Sequence, residues 1–236
     1  MKPVAIFRHA PTEGPGYFAT YLAERSIPWK LLAIDEGIRV PRDIRQFSGV
    51  ALMGGPMSVN DALPWIAPVL EFVREAVRKD VPVIGHCLGG QLMSKALGGE
   101  VTRNKYKEIG WGEVAVEDNG VAREWFGSLA AFEAFHWHGD TFSIPPGGTR
   151  VLGNPHCANQ AFAMGKHLGL QCHVEMDPEL VAAWCAEEGA REIEAAKASP
   201  AVQPVTKIQR NLDARLAALQ AVARQVYDRW AGSLAR

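Results

Sequence analysis

The sequence contains no apolar run approaching the roughly 20 residues that cross a bilayer. Its N-terminal run, Val4-Ala5-Ile6-Phe7, is too short for the core of a secretory signal. Membrane insertion and secretion are therefore not expected. Cysteine is sparse, with 4 residues (Cys87, Cys157, Cys172 and Cys185) and no Cys-x-x-Cys pair. That spacing excludes a disulfide framework and points to thiols in a reducing, cytoplasmic setting. An excess of one charge is missing too. Lys and Arg number 25 against 26 Asp and Glu, with no long like-charge run, so nothing marks a nucleic-acid partner. No G-x-x-x-x-G-K-[ST] phosphate loop occurs, and neither an internal repeat nor a low-complexity tract is present.

What is there is ordinary globular material: 236 residues, 47% hydrophobic and 22% charged. That length suits one large domain, or one domain with a small appendage. A chain of this size buries ~70–75% of its unfolded surface and needs neither disulfides nor a structural metal.

The first half alternates short apolar runs at 4–8, 30–34, 49–53 and 81–85 with helical spacing at 17–25, 65–79 and 88–97. This alternation predicts an α/β fold with a largely parallel central sheet flanked by helices. Segments 111–116, 131–137, 150–153, 160–164 and 168–172 read as strands between Gly, Pro, Asn and Asp turns, and fit antiparallel additions to that sheet. Residues 179–198 read as one helix. Ser199-Pro200 and Pro204 then break the chain, and Thr206-x-x-Gln209 reads as a capping box opening a second helix. Its apolar residues, from Val205 and Ile208 through Leu212, Leu216, Leu219, Ala223 and Val226 to Trp230, form one continuous stripe. The expected division is a domain over 1–198 and a C-terminal amphipathic helix over 199–236. That helix would pack on the domain or on a second copy of the chain.

The strongest chemical signal is Val83-Ile84-Gly85-His86-Cys87-Leu88-Gly89-Gly90-Gln91. A buried strand runs through Gly-x-Cys-x-Gly straight into a helix, the nucleophile-elbow pattern with Cys for Ser. The glycines permit a turn too tight for side chains, and the central residue is forced into a strained backbone conformation. The helix N-terminus behind the sulfur favours negative charge there, and its free N–H groups suit a developing oxyanion. A buried structural cysteine is the commoner fate of a free thiol, but it does not require that pair of glycines.

A thiol nucleophile needs a base and an orienting acid. Gln171-Cys172-His173-Val174-Glu175 offers His173 and Glu175 at spacing two, on one side of an extended segment. Spacing alone is weak, since such pairs are common on surfaces. Among the other histidines, His136 and His138 share a face with Asp140 beyond them, but no convincing third ligand is evident. No metal and no cofactor are expected. His86 should point away from the chemistry, and His9, His156 and His167 have no constellation around them. Cys157, Cys172 and Cys185 lack elbow glycines and read as packing residues.

Together these segments resemble the class I glutamine amidotransferases, the triad type with a Cys-His-Glu site. Met53-Gly54-Gly55-Pro56-Met57-Ser58 looks like that family's oxyanion strand, Gly85 to Gln91 like its elbow, and Gln171 to Glu175 like its base segment. Trp137-His138-Gly139-Asp140 and Asn159-Gln160-Ala161-Phe162 resemble the branch containing the glutaminase domain of GMP synthetase. The resemblance spans roughly residues 1–185. It implies a flavodoxin-like architecture with C-terminal helices added. It also implies that Cys87 attacks the glutamine side-chain amide, that His173 carries the proton to the leaving ammonia, and that Glu175 orients His173. The backbone N–H groups of Gly55 and Leu88 would form the oxyanion hole. Gln91, Trp137, His138, Gly139 and Asp140 would hold the substrate. The family usually has Phe before the base and Pro after it; here Cys172 and Val174 stand there, which bears on how Glu175 is aimed.

The segment after Glu175 reads as helices, so the chemistry of an ammonia acceptor is expected on another polypeptide or not at all. Three readings follow. The chain is a free-standing glutamine amidotransferase or glutaminase, with a synthetase or a second copy as protein partner. Alternatively it hydrolyses other γ-glutamyl compounds with the same triad. The third reading, a catalytically weak partner-binding protein, is disfavoured by the intact Cys87, His173 and Glu175.

Overall fold

The computed structural model describes residues 1–235. Its first half runs β1 (Val4–Arg8), α1 (Gly16–Glu24), β2 (Trp29–Ala33), β3 (Gly49–Leu52), α2 (Ile66–Arg78), β4 (Val83–His86) and α3 (Leu88–Ala96). Next come β5 (Val101–Val116), α4 (Gly120–Phe126), β6 (Ala131–Phe142), β7 (Thr149–Gly153), β8 (Ala161–Met164) and β9 (His167–Leu170). Then follow α5 (Pro178–Trp184), α6 (Glu187–Ala196), β10 (Ala201–Val202), α7 (Val205–Ile208) and α8 (Leu212–Ala231).

All ten strands form one sheet, in the order β10-β5-β7-β8-β9-β4-β3-β1-β2, with β6 paired to β5. The strands β2, β1, β3, β4 and β9 are mutually parallel, while β8, β7, β5 and β6 continue antiparallel. This is the α/β fold expected, with the order 2-1-3-4 of a flavodoxin-like sheet. β3 and β4 are buried along their whole length. Both faces are covered by helices, which is why these strands are apolar throughout rather than alternating. One apolar layer packs α2 and α3 against the sheet. The other carries α1, α4, α5 and α8.

The α8 stripe is spent on this second layer. Leu216, Leu219, Ala223, Val226, Tyr227 and Trp230 are all buried. Tyr227 and Trp230 meet Phe18 of α1 edge-on, with ring centroids 4.8 and 5.6 Å apart. Among the described residues no helix is long and apolar enough to cross a membrane.

Three elements differ from their sequence reading. The expected 179–198 helix is two helices, because Ala186 is extended and starts α6 on a new axis. The turn lets Gly189 sit against the Trp184 carbonyl oxygen, where a Cβ would overlap it. The Thr206 capping box does not cap. α7 starts after Pro204 without a side-chain cap, and the long helix starts only after Asn211, which takes a left-handed conformation at φ 55°. Ile208 explains the interruption: it is fully buried, and its carbonyl accepts the Trp111 indole N–H at 2.9 Å. Finally, β5 and β6 extend well beyond 111–116 and 131–137. They pair with each other from Val101–Phe142 to Ala115–Ala131, and exposed residues such as Arg103 and Lys105 mask the pattern.

Candidate active site

The C-terminal ends of β1, β3 and β4, and the segment leaving β9, converge at one edge of the sheet, where parallel α/β sheets place their ligand crevices. Cys87 sits between β4 and α3 with φ 50° and ψ −107°. Side-chain-bearing residues rarely hold a positive φ, and here the surroundings enforce it. The Cys87 N–H donates to the Leu170 carbonyl at 2.9 Å and its carbonyl accepts from Gln91 N–H at 3.0 Å. A Cβ at Gly89 would overlap the Leu52 carbonyl oxygen, so the turn can close this tightly only over glycine.

His173 is held by a bridge to β6: its N–H donates to the Phe135 carbonyl at 2.8 Å. Its Nδ1 donates to Glu175 Oε1 at 2.7 Å. Nε2, on the other side of the ring, has no hydrogen-bond partner. Burial opposes charge on His173, but the Glu175 carboxylate and the neighbouring Cys87 sulfur outweigh it. Its affinity for a proton is raised well above that of a free imidazole. Burial alone would push Glu175 up; the facing imidazoles of His86 and His173 override it and hold the carboxyl at about 2. Cys172 and Val174, the departures from the family pattern, are both fully buried and leave Glu175 within reach of the base. The Trp184 ring meets His173 edge-on at 4.7 Å.

The structure therefore brings Cys87, His173 and Glu175 to one place. Gly55 lines the same cavity as Cys87. A Cβ on Gly55 would come 2.7 Å from Leu88 Cδ2, so this loop lies directly against the start of α3. The cavity holds about 200 Å³. Gln91, Trp137, His138, Gly139 and Asp140 all line it. Gln91 donates to Gln171 Oε1 at 3.1 Å, and Gln171 in turn donates to the Cys87 sulfur at 3.5 Å. The Trp137 carbonyl lies 3.8 Å from that sulfur. Asp140 accepts from Ser58 Oγ at 3.1 Å and from Arg103 at 3.3 Å.

Several contributors were not anticipated. Glu192 of α6 lines the cavity, accepts the Trp137 indole N–H at 2.8 Å, and pairs with Lys107. Nothing in the α6 sequence marks it; only the break before α6 brings it there. Glu13 reaches the site from the loop after β1, with its Oε2 2.5 Å from where a Cβ on Gly54 would sit, and burial raises its carboxyl to about 7. His9 lies alongside the Gly54-Gly55 loop, donating from Nδ1 to the Met53 carbonyl at 3.1 Å.

Two expectations need correction. His86 does not point away from the site: its Nε2 lies 3.9 Å from Glu175 Oε2 and 3.2 Å from the Tyr227 hydroxyl. It is a β4 side chain directed beneath the site, toward α8. A third group beside His136 and His138 also exists, since β5 supplies Glu108. The remaining thiols are free and buried. Burial raises Cys157 to about 11 and Cys172 well above the usual thiol value, as expected of packing residues.

This α/β sheet, whose strand-to-helix elbow presents Cys87 at a positive φ beside the His173–Glu175 pair, has the arrangement of a nucleophile with a base and its orienting acid. The comparisons make this specific. The class I glutamine amidotransferase family model matches residues 17–183, and the chain belongs to that family. A crystal structure of a glutamine amidotransferase from Methylobacillus flagellatus superposes with a TM-score of 0.95 at 46% identity, covering 100% of this chain and 96% of that one. A putative glutamine amidotransferase-like protein of Salmonella typhimurium, YfeJ, is 26% identical over 73% of this chain and 75% of its own length. A glutamine-hydrolyzing GMP synthase subunit of Sulfurisphaera tokodaii is 32% identical over 56% of this chain and 70% of its own. The match to the GMP synthase of Aeropyrum pernix, at 36% identity, takes in 55% of this chain but only 24% of that protein.

Proposed function

We propose that the chain releases ammonia from the side-chain amide of glutamine through a thioester on Cys87. The observation that carries this reading is the line of Cys87, His173 and Glu175, with the Glu175 carboxylate 2.7 Å from Nδ1 and the opposite nitrogen free. The Cys87 sulfur attacks the amide carbon and its proton passes to His173 Nε2. The raised proton affinity of His173 suits it to receive that proton, and Glu175 fixes the tautomer that leaves Nε2 available. The developing oxyanion is held by the N–H groups of Gly55 and Leu88, where one such donor contributes about 3–4 kcal/mol. His173 then returns the proton to the leaving ammonia, and water cleaves the thioester to glutamate.

The cavity supports an amino-acid-sized substrate. Its mouth carries both charge signs, Arg103 and Lys107 with Asp140 and Glu192, which complement an α-carboxylate and an α-ammonium group. γ-Glutamyl amines and peptides carry the same head group. The ammonia acceptor would lie on a synthetase partner, such as the larger proteins containing GMP synthase activity among the relatives. The test is ammonia release from glutamine, compared by kcat/KM with γ-glutamyl peptides and amines. Trapping of the thioester on Cys87 accompanies it. Cys87→Ala is expected to abolish release and trapping together; full activity in that variant refutes the mechanism.

A further inference from the structure

Next to the cavity, on the β5–β6 ladder, three buried side chains converge. Glu108 stands directly opposite His138 in the register, and His136, two residues along the strand, shares the face of His138. Their relative exposures are 2% for Glu108, 1% for His136 and 4% for His138. Each imidazole has one nitrogen committed to the main chain: His136 Nε2 to the Gly112 carbonyl at 3.2 Å, and His138 Nδ1 to the Asp140 carbonyl at 3.0 Å. A carbonyl oxygen only accepts, so these two nitrogens carry the protons. The opposite nitrogens, His136 Nδ1 and His138 Nε2, are buried without hydrogen-bond partners. In neutral rings both present lone pairs.

Glu108 is fixed from behind. Asn154 donates to Oε1 and Gln160 to Oε2, each at 2.7 Å. The Asn154 amide cannot turn over, because its oxygen accepts the N–H groups of His156 and Cys157 at 2.9 and 2.6 Å. Glu108 Oε2 nevertheless lies 3.0 Å from His138 Nε2, an acceptor facing a lone pair unless something positive lies between or upon them. A proton on His138 would satisfy that one pair but leave His136 Nδ1 orphaned. A cation satisfies all three, and ligand atoms of the three residues lie within 4.8 Å of one another.

We infer that Glu108, His136 and His138 bind one divalent transition-metal ion of the Zn²⁺ class through the two free imidazole nitrogens and the Glu108 carboxylate. Two imidazoles and one carboxylate suit Zn²⁺, with bonds of about 2.0–2.2 Å, better than Mg²⁺ or Ca²⁺, which prefer all-oxygen sets. The carbonyls behind both histidines and the amides behind Glu108 are the outer contacts that orient metal ligands. Three protein ligands leave a coordination position open, and Glu108 and His136 border a second cavity of about 390 Å³. The ion's place in the molecule follows from Trp137, which lies between the two histidines and turns its carbonyl to the Cys87 sulfur. Metal there would pin the wall of the glutamine cavity.

The test uses the full chain carrying Cys87→Ala, so that the elbow thiol cannot compete for metal. After chelator treatment, Zn²⁺ is titrated by calorimetry. One ion per chain at micromolar Kd or tighter is expected, weakened at least tenfold by Glu108→Gln and by His136→Gln. Anomalous scattering at the zinc edge from Zn²⁺-loaded crystals of the Cys87→Ala chain decides the matter even if a variant fails to fold. A peak between the three side chains supports the site. Loss of binding in the Cys87→Ala chain, unchanged affinity in Glu108→Gln, or a peak elsewhere overturns it.

Discussion

Replacing Glu175 with Gln keeps the side chain's shape and removes its charge, which isolates what the carboxylate does for His173. At the observed 2.7 Å from Nδ1, a unit charge pair at an effective dielectric of about 20 interacts by about 6 kcal/mol. The glutamine amide recovers a neutral hydrogen bond of about 1 kcal/mol. The imidazolium formed when Cys87 gives up its proton is therefore destabilised by about 4–5 kcal/mol, a fall in kcat of roughly 10³–10⁴-fold. Gln can also accept or donate toward Nδ1, so the tautomer with Nε2 free is no longer enforced, and this acts in the same direction. KM should move far less, because Glu175 is buried beneath His173 and does not line the cavity. Ammonia release under saturating glutamine gives kcat, and a melting curve confirms that the variant is folded. A loss below tenfold in a folded variant, or a change confined to KM, would show that His173 does not depend on Glu175 and would break the proposed relay.

Two further outcomes test the packing beneath the site. Burial lowers His9 and His167 to about 4 and lowers His86 as well, so the unfolded chain takes up more protons than the native one as pH falls below 6.5. Glu13, raised to about 7, works the other way between 4.5 and 7, but three imidazoles oppose one carboxyl. Stability is therefore fullest near neutrality and falls on acidification, by about 1.4 kcal/mol per pH unit for each net proton. Below pH 4.5 Glu175, held at about 2, continues the loss. Urea midpoints measured from pH 7 to 4 that stay level or rise would contradict this burial. Trp230→Ala empties a fully buried site against Phe18 and should cost about 3–5 kcal/mol, or roughly 6–20 °C in Tm for a chain of this size. A shift under 2 °C would mean that α8 does not pack where it is described.

The parallel half of the fold was legible because its strands are short, apolar and punctuated. Gly54-Gly55-Pro56 and Gly85-x-Cys87-x-Gly89 mark strand ends where backbone geometry admits few other residues. Cys87 was legible for the same reason, since an elbow imposes its pattern within a few positions. His173 and Glu175 were legible only in company with it. Glu192, Glu13 and Glu108 were not. Each is an ordinary carboxylate in an ordinary local context, made significant by chain that arrives from far away in sequence. The Thr206 box failed for a related reason. A local capping pattern worth about 1 kcal/mol yields to the burial of Ile208 and its bond with Trp111.

His86 joins two parts of the molecule that the sequence keeps 141 positions apart, touching Glu175 on one side and the Tyr227 hydroxyl of α8 on the other. During synthesis, residues 83–175 emerge long before residue 227. A nascent chain still lacking α8 holds all three triad side chains, but His86 has no hydroxyl beneath it and the apolar layer against Phe18 is open to water. The underside of the site is therefore complete only once α8 has packed against it.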